Sequence, residues 1–394
     1  GSKTDEAVVS VAPTEAGRRG VEVAVEVATV RAPMGRSASG RSSLDAATSW
    51  PEASMPWPGP AHPCAACVAA DSQEMHGLMM EVPLTLDAIL RRARTVFPDR
   101  EIVSRRDDGV LHRTSYGAVA ERVDRLVGVL RGLGVQPGDR VATFAWNHHR
   151  HLELYFAVPC AGAVLHMVNV KLAREQVAYV VNHAADRVVF VDRCLVPTLA
   201  AALPDLPQGL RFVVLDDDGR GAAAELPGAL DYETLLAAAA APRDLPVLDE
   251  RQAAGLCYTS GTTGEPKGVL YSHRSVVLHA FGCGMIDSLG VSQRESVLPV
   301  VPMFHVWAWG LPYAAALTGA RLVLPGAHLT GDALAHLIEG EGVTFAAGVP
   351  TVWNLVLQSL RHKRRDLTRL RRIVVGGAQA PRARKGASQW LPII

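Results

Sequence analysis

Lysine is scarce in this chain. Only Lys3, Lys171, Lys267, Lys363 and Lys385 stand among 40 basic residues, so nearly all positive charge is arginine. That bias reads as the coding habit of a GC-rich genome rather than as a nucleic-acid patch. The formal net charge of +1 gives no electrostatic case for nucleic acid or an anionic membrane as partner. The densest basic stretch, Arg361–Arg372, reads as a solvated helix face. Long apolar runs are also missing. The longest, Leu154–Val168, contains Pro159 and His166 and falls short of a membrane span, so no transmembrane segment is expected. Paired cysteine motifs are missing too. Cys64 and Cys67 form a single C-x-x-C with no second pair, which leaves a zinc site without its other ligands. Cys160, Cys194, Cys257 and Cys283 lie in apolar surroundings and read as buried thiols, as in a reducing, cytoplasmic compartment. No charged-then-apolar signal peptide opens the chain, and Asp5, Glu6, Glu15, Glu22 and Glu26 argue against a transit peptide.

What is present suffices for a large fold. A length of 394 residues suggests two or three domain-sized units, and 48% hydrophobic residues can fill their cores. Residues 1–74 read as an extension: Gly1–Gln73 is rich in Ala, Gly, Pro, Ser and Arg without a sustained period, so disorder is the default. The Gly-Ser start suggests a cloning scar or a fragment, and Met75, where patterned sequence begins, is a candidate initiator. Residues 75–245 and 246–381 read as two α/β subdomains, joined through the proline-bearing linker Ala241–Asp249, and residues 382–394 read as a foreign-looking tail.

From Leu84 onward helix and strand alternate. Leu86, Ile89, Leu90, Ala93 and Phe97 keep helical spacing up to Pro98. Ser115 is placed to cap a helix bearing Val119, Val123, Leu126, Leu130 and Leu133, with Gly134 past its end. Strands are expected at Arg140–Ala145, Ala163–Val168, Arg187–Val191, Arg211–Leu215, Val297–Val301, Arg321–Leu324, Thr344–Ala347 and Arg372–Val375. Helices are expected at His151–Cys160, Leu172–His183, Tyr232–Ala240, Trp307–Leu317, Asp332–Glu339 and Thr351–Leu360. Such alternation implies an α/β, doubly wound, mostly parallel sheet. Ligands of these folds bind beyond the carboxyl ends of strands.

The most informative stretch is Tyr258–Gly268, Tyr-Thr-Ser-Gly-Thr-Thr-Gly-Glu-Pro-Lys-Gly. Glycine admits positive φ and close backbone approach. The amides of such a turn can form an anion-binding nest. Thr259, Ser260, Thr262 and Thr263 add hydroxyls among Gly261 and Gly264, and Lys267 adds a point charge suited to phosphate. Ala253–Tyr258 and Val269–Ser272 read as flanking strands, so the loop is a strand-to-strand flap. A Walker A loop does not fit: the spacing from Gly261 to Lys267 is wrong, Pro266 replaces the glycine before the lysine, and Gly268 replaces Ser/Thr.

This stretch resembles the phosphate-binding signature of the adenylate-forming superfamily, which includes acyl-CoA synthetases, luciferases and peptide-synthetase adenylation domains. Pro302–Trp309 looks like the segment beside the acyl carboxylate, Gly348-Val349-Pro350-Thr351 like a wall of the acyl pocket, and Gly376–Pro381 like the adenine-binding turn. With Asn182-His183-Ala184 and Tyr271–Arg274, the likeness spans Met75 to about Pro381 and is closest to bacterial medium- and long-chain fatty-acyl-CoA synthetases. It implies attack of a fatty-acid carboxylate on ATP, then displacement of AMP by coenzyme A. It implies catalytic parts for Lys267 and His305, and phosphate binding by Thr259, Ser260, Gly261, Thr262, Thr263, Gly264 and Lys267. It further implies adenine contacts at Gly376, Gly377 and Ala378, acyl contacts at His305, Val306, Trp309 and Gly348, and Thr259 on the Mg²⁺ side. Trp309, four residues after His305, is expected on the same helical face. A homodimer is compatible with this reading.

The family pattern breaks after Pro381, where Arg382–Trp390 shows no apolar period. The superfamily continues with a metal-binding glutamate, a ribose-binding aspartate, a hinge and a mobile domain with a lysine; the tail instead resembles a frameshift or truncation product. Three functional readings stay open: an impaired fatty-acid:CoA ligase portion, a non-catalytic nucleotide- or acyl-binding remnant, and an adenylation domain for another carboxylic acid. For the amino terminus the expected outcome is that limited proteolysis clips within Gly1–Gln73 first; a protected fragment beginning near residue 1 contradicts this.

Overall fold

The computed structural model describes residues 82–217, 223–242, 244–259 and 265–377. The expected extension 1–74 and the tail 382–394 lie outside the described residues. In chain order the strands are β1 Glu101–Arg105, β2 Leu111–Ser115, β3 Arg140–Phe144, β4 Val164–Met167, β5 Asp186–Asp192, β6 Arg211–Leu215, β7 Leu230–Asp231, β8 Ala253–Thr259, β9 Lys267–Ser272, β10 Ser296–Pro299, β11 Arg321–Leu324, β12 Phe345–Gly348 and β13 Arg372–Val375. The helices are α1 Leu86–Val96, α2 Tyr116–Gly132, α3 His149–Cys160, α4 Arg174–Ala184, α5 Val196–Ala200, α6 Tyr232–Ala238, α7 His273–Gly284, α8 Leu311–Thr318, α9 Gly331–Gly340 and α10 Pro350–His362.

Two sheets result. One runs β13-β12-β10-β11-β1-β2 and the other β7-β6-β5-β3-β4-β8-β9. Every pairing is parallel except β1 with β2 and β8 with β9. The expected doubly wound α/β class is therefore what the chain adopts. The sheets do not follow the expected boundary at residue 246. β1 and β2 join β10–β13, while β8 and β9 join β3–β7, so each sheet takes strands from both sides of it.

Side-chain burial explains the layering. Helices α1, α2, α3, α7 and α8 share one core with the inner faces of both sheets: Val141 and Phe190 from one, Leu322 and Phe345 from the other. The outer face of the first sheet is covered by α9 and α10 through Leu334, Trp353 and Val356. The outer face of the second is covered by α4 and α5 through Val177, Val181 and Val196. Central strands are apolar on both faces because both faces are covered. Among the described residues no helix is long and apolar enough to cross a membrane.

Local chemistry sets the element ends. The Ser115 hydroxyl accepts from the Ala118 amide at 3.3 Å and starts α2, and Gly134 at φ +75° lies past its end. α3 begins two residues earlier than expected because the His148 imidazole caps it, accepting from the His151 amide at 3.3 Å. Of the four thiols, Cys160, Cys257 and Cys283 are buried, whereas Cys194 is exposed in the turn Arg193–Leu195 after β5. That corrects the expectation of four buried thiols.

Two buried histidines in α3 couple stability to pH. His151 Nδ1 lies 2.9 Å from the Trp146 carbonyl and Nε2 lies 3.0 Å from the Thr143 hydroxyl. A carbonyl only accepts, so Nδ1 carries the proton and Nε2 accepts from Thr143. Burial pushes this imidazole down to about 3, and burial also holds His149 well below its usual range. Both are neutral in the fold, whereas an unfolded histidine takes up a proton near pH 6.5. The stability they allow is complete above about pH 6.5 and is lost as pH falls toward about 3, at up to about 1.4 kcal/mol per unit and group. His151→Gln should give a shallower fall of denaturation midpoint between pH 6.5 and 4; an unchanged slope contradicts the assignment.

Candidate functional site

The hairpin β8–β9 carries the flanks of the Gly/Thr-rich loop. Thr259 pairs directly with Lys267 across it, so hydroxyl and ammonium stand side by side where the strands open. Thr259 is half-buried and Lys267 is exposed. Ser260, Gly261, Thr262, Thr263 and Gly264 lie outside the described residues. The root of the hairpin is anchored laterally. The Tyr258 hydroxyl lies 2.7 Å from His183 Nδ1 on α4, and burial pushes the phenol up to about 12. This brings the Asn182-His183-Ala184 stretch against the end of β8, although 75 residues separate His183 from Tyr258.

The next wall is the segment after β10, and it hangs on a residue that sequence reading missed. Asn147, in the turn between β3 and α3, is 4% exposed. Its side-chain nitrogen donates to the carbonyls of Pro299 and Val301, both at 2.9 Å. Its side-chain oxygen accepts from the Met303 amide at 2.7 Å, and its own carbonyl accepts from the Gly326 amide at 2.9 Å. One buried amide therefore ties the end of a strand in one sheet to the segment leaving the other. An asparagine in a turn has an ordinary local explanation, so nothing in the sequence singled it out.

His305 follows on this segment, half-buried, its amide bonded to the Pro302 carbonyl at 3.1 Å. Burial holds its imidazole below the ordinary range, which makes it neutral near pH 7. Val306 donates its amide to Cys257 Sγ at 3.4 Å and so docks on β8, two residues before Thr259. The expected helix Trp307–Leu317 begins only at Leu311. Val306, Trp307, Ala308 and Trp309 are all left-handed, with φ between +45° and +54°, and Gly310 continues at +68°. His305 and Trp309 consequently do not share a helical face. The physical reason is that α8 starts with Pro312 in its first turn, which holds right-handed helical backbone only from Leu311 onward.

The third wall comes from β12 and β13. Gly348 pairs with Val375, which places it beside Gly376 and Gly377. Its carbonyl accepts from Trp353 Nε1 at 3.1 Å. The Trp309 ring lies against Gly376 and leaves no room for a larger residue there, while Gly377 takes φ +82°. Ala378 lies outside the described residues. The structure thus gathers Thr259, Lys267, His305, Val306, Trp309, Gly348, Gly376 and Gly377 at the carboxyl ends of β8, β10, β12 and β13. No group of three or more His, Cys, Asp or Glu among the described residues could hold a metal ion. Among the described residues Thr259 offers one hydroxyl here, too few oxygens to hold Mg²⁺ without a ligand that supplies others.

Comparison with known proteins shows the family and the fold. Residues 90–390 match the family described as AMP-binding enzyme. The chain is 50% identical to a long-chain-fatty-acid–CoA ligase of Thermus thermophilus, over 77% of its own length and 55% of that protein. It is 45% identical to a 3-methylmercaptopropionyl-CoA ligase of Ruegeria lacuscaerulensis, over 78% of its own length and 57% of that protein. The crystal structure of the anthranilate CoA ligase AuaEII with anthranoyl-AMP superposes with a TM-score of 0.71 at 22% identity, over 79% of this chain and 59% of that one, a likeness of fold. The chain spans little more than half the length of the curated relatives it matches. By a match that covers most of its length, the chain belongs to the AMP-binding enzyme family.

Proposed function

We propose that this chain forms the nucleotide- and acid-binding part of an AMP-forming acid–thiol ligase acting on fatty acids. The observation that carries this reading is the meeting of three walls: the Thr259–Lys267 hairpin, the His305–Trp309 segment and the Gly376–Gly377 turn. In the first step a carboxylate oxygen attacks the α-phosphorus of ATP, and the bond to the bridging oxygen breaks to release pyrophosphate. In the second, the thiolate of coenzyme A attacks the acyl carbon and AMP leaves.

The first step drives an anion onto a polyanion, so charge neutralisation dominates its barrier. Lys267 supplies a mobile ammonium at the mouth of the hairpin, and Thr259 supplies a hydroxyl opposite it. The Thr259 hydroxyl would face a Mg²⁺ ion bound with ATP, which would supply further neutralisation of phosphate charge. Neutral His305 can donate one hydrogen bond to the acid without competing as a fixed cation. Ser260, Gly261, Thr262, Thr263 and Gly264 complete the phosphate cradle, and Gly376, Gly377 and Ala378 take the adenine face. ATP and coenzyme A as substrates fit a cytoplasmic setting.

A second reading, adenylation of another carboxylic acid, is favoured by one observation. Relatives of nearly equal identity are named for a long-chain fatty acid and for 3-methylmercaptopropionate, so overall likeness does not fix the acid. Calorimetry separates the parts of the site. Lys267→Ala should weaken ATP binding about 10- to 150-fold, the loss of one charge-assisted contact of about 1.5–3 kcal/mol. His305→Ala should leave ATP affinity within about twofold and weaken carboxylate binding. Equal ATP affinity in wild type and Lys267→Ala removes the hairpin from the site.

A further inference from the structure

The outer face of the second sheet holds a pair that apolar packing does not call for. His166 on β4 stands in register with Leu256, whose side chain packs with Val164 and Ala184. Its imidazole Nδ1 lies 2.7 Å from Asp186 Oδ2, and both side chains are fully buried. The other atoms of the pair, His166 Nε2 and Asp186 Oδ1, are buried with no partner. Apolar residues of similar volume in place of such a pair are often neutral or stabilising, so stability alone does not account for it. What the pair adds is rigidity: it ties β4 to β5 across β3, which lies between them.

Tyr258 rests on this floor. Its ring lies 5.1 Å from that of His166, tilted by 50°. Burial, and after it the Asp186 charge, raise the phenol, so it keeps its proton and can donate to His183 Nδ1 at 2.7 Å. His183 in turn stacks on Tyr179 at 5.5 Å. Successive residues of a strand face opposite ways. Tyr258 packs on the α4 side, whereas Cys257 belongs to the core between the sheets and takes the Val306 amide. The strand is therefore pinned on both faces immediately before Thr259, whose pairing with Lys267 opens the hairpin.

We infer that Tyr258 is a positioning residue for nucleotide binding: held by His183 and floored by the buried His166–Asp186 pair, it fixes the end of β8 from which the phosphate hairpin opens. Its side chain lies on the face away from Val306, so it acts through the backbone that carries Thr259. This rests on the reading of that hairpin as the phosphate-binding wall.

The test is calorimetric titration of the full chain with Mg-ATP, with thermal unfolding of every variant beside it. Tyr258→Phe keeps the ring and His183→Ala removes an exposed side chain, so both should fold. Each should weaken ATP binding about three- to tenfold, the worth of one net hydrogen bond. The two together should lose no more than either alone, because the groups act as one. His183→Gln, whose side-chain oxygen can accept from the phenol, should recover most of the loss. His166→Leu combined with Asp186→Leu removes both unpartnered atoms; it should keep the unfolding midpoint while ATP binding weakens. Wild-type ATP affinity in Tyr258→Phe and His183→Ala, with only the unfolding midpoint lowered, overturns the inference. Wild-type affinity in the double leucine variant removes the buried pair from it. Equal ATP affinity in wild type and Lys267→Ala, or no binding by wild type, overturns the phosphate reading and this inference with it.

Discussion

A single buried amide holds the two halves of the site in register. Asn147 spends both of its N–H groups and its side-chain oxygen on the segment Pro299–Met303, while its backbone carbonyl takes Gly326. A buried amide with every partner made is worth far more to the fold than its net hydrogen-bond energy. Removing it would strand two carbonyls and an N–H, each costing about 1–3 kcal/mol. Because Asn147 follows β3 and its partners follow β10, the bond links the carboxyl ends of strands in different sheets. The hairpin that carries Lys267 belongs to the second sheet and the His305 segment leaves the first, so their relative placement depends on it.

The helical layer behind Asn147 is braced by buried charge. Glu153 on α3 is fully buried and accepts from Arg122 Nε at 2.7 Å and from the Tyr232 hydroxyl at 2.5 Å. Arg122 grips Glu233 with two bonds of 2.9 and 3.0 Å, and Arg150 joins Glu233 to Asp217 at 2.7 and 2.5 Å. Burial raises the Glu153 carboxyl, and the Arg122 charge opposes that shift. Such a network fixes α2, α3 and α6 against one another. Breaking one partner would leave charge uncompensated, at about 3–5 kcal/mol. The Tyr155 hydroxyl, also on α3, donates to the Met303 carbonyl, so the brace extends to the segment bearing His305.

What was legible in the sequence follows from what each element packs against. Arg211–Leu215 and Arg372–Val375 are read with their observed bounds, because sheet strands covered on both faces show as uninterrupted apolar runs. β2, Leu111–Ser115, was invisible: none of its residues is buried and most are polar, so only its antiparallel pairing with β1 defines it. α7 went unread although Ser272 caps it, its hydroxyl accepting from the Ser275 amide at 3.2 Å. The candidate residues at strand ends were named from motif chemistry, and the fold sets Thr259 beside Lys267 and Gly348 beside Val375. The left-handed run Val306–Trp309 was not, since none of its residues favours that conformation and only Gly310 hints at it. Asn147 acts through side-chain partners more than 150 residues away, a relation no local pattern displays.

The central claim is that hairpin, docked segment and glycine turn bind one continuous ligand. A crystal structure of the chain with a non-hydrolysable acyl-adenylate mimic, an acyl sulfamoyl adenosine, tests it most directly. The account predicts adenine against Gly376 and Gly377, the sulfamate between Lys267 and His305, and the acyl group turned toward Trp309. Density for the ligand elsewhere on the chain, or in this cleft without contact to both Lys267 and His305, would contradict it.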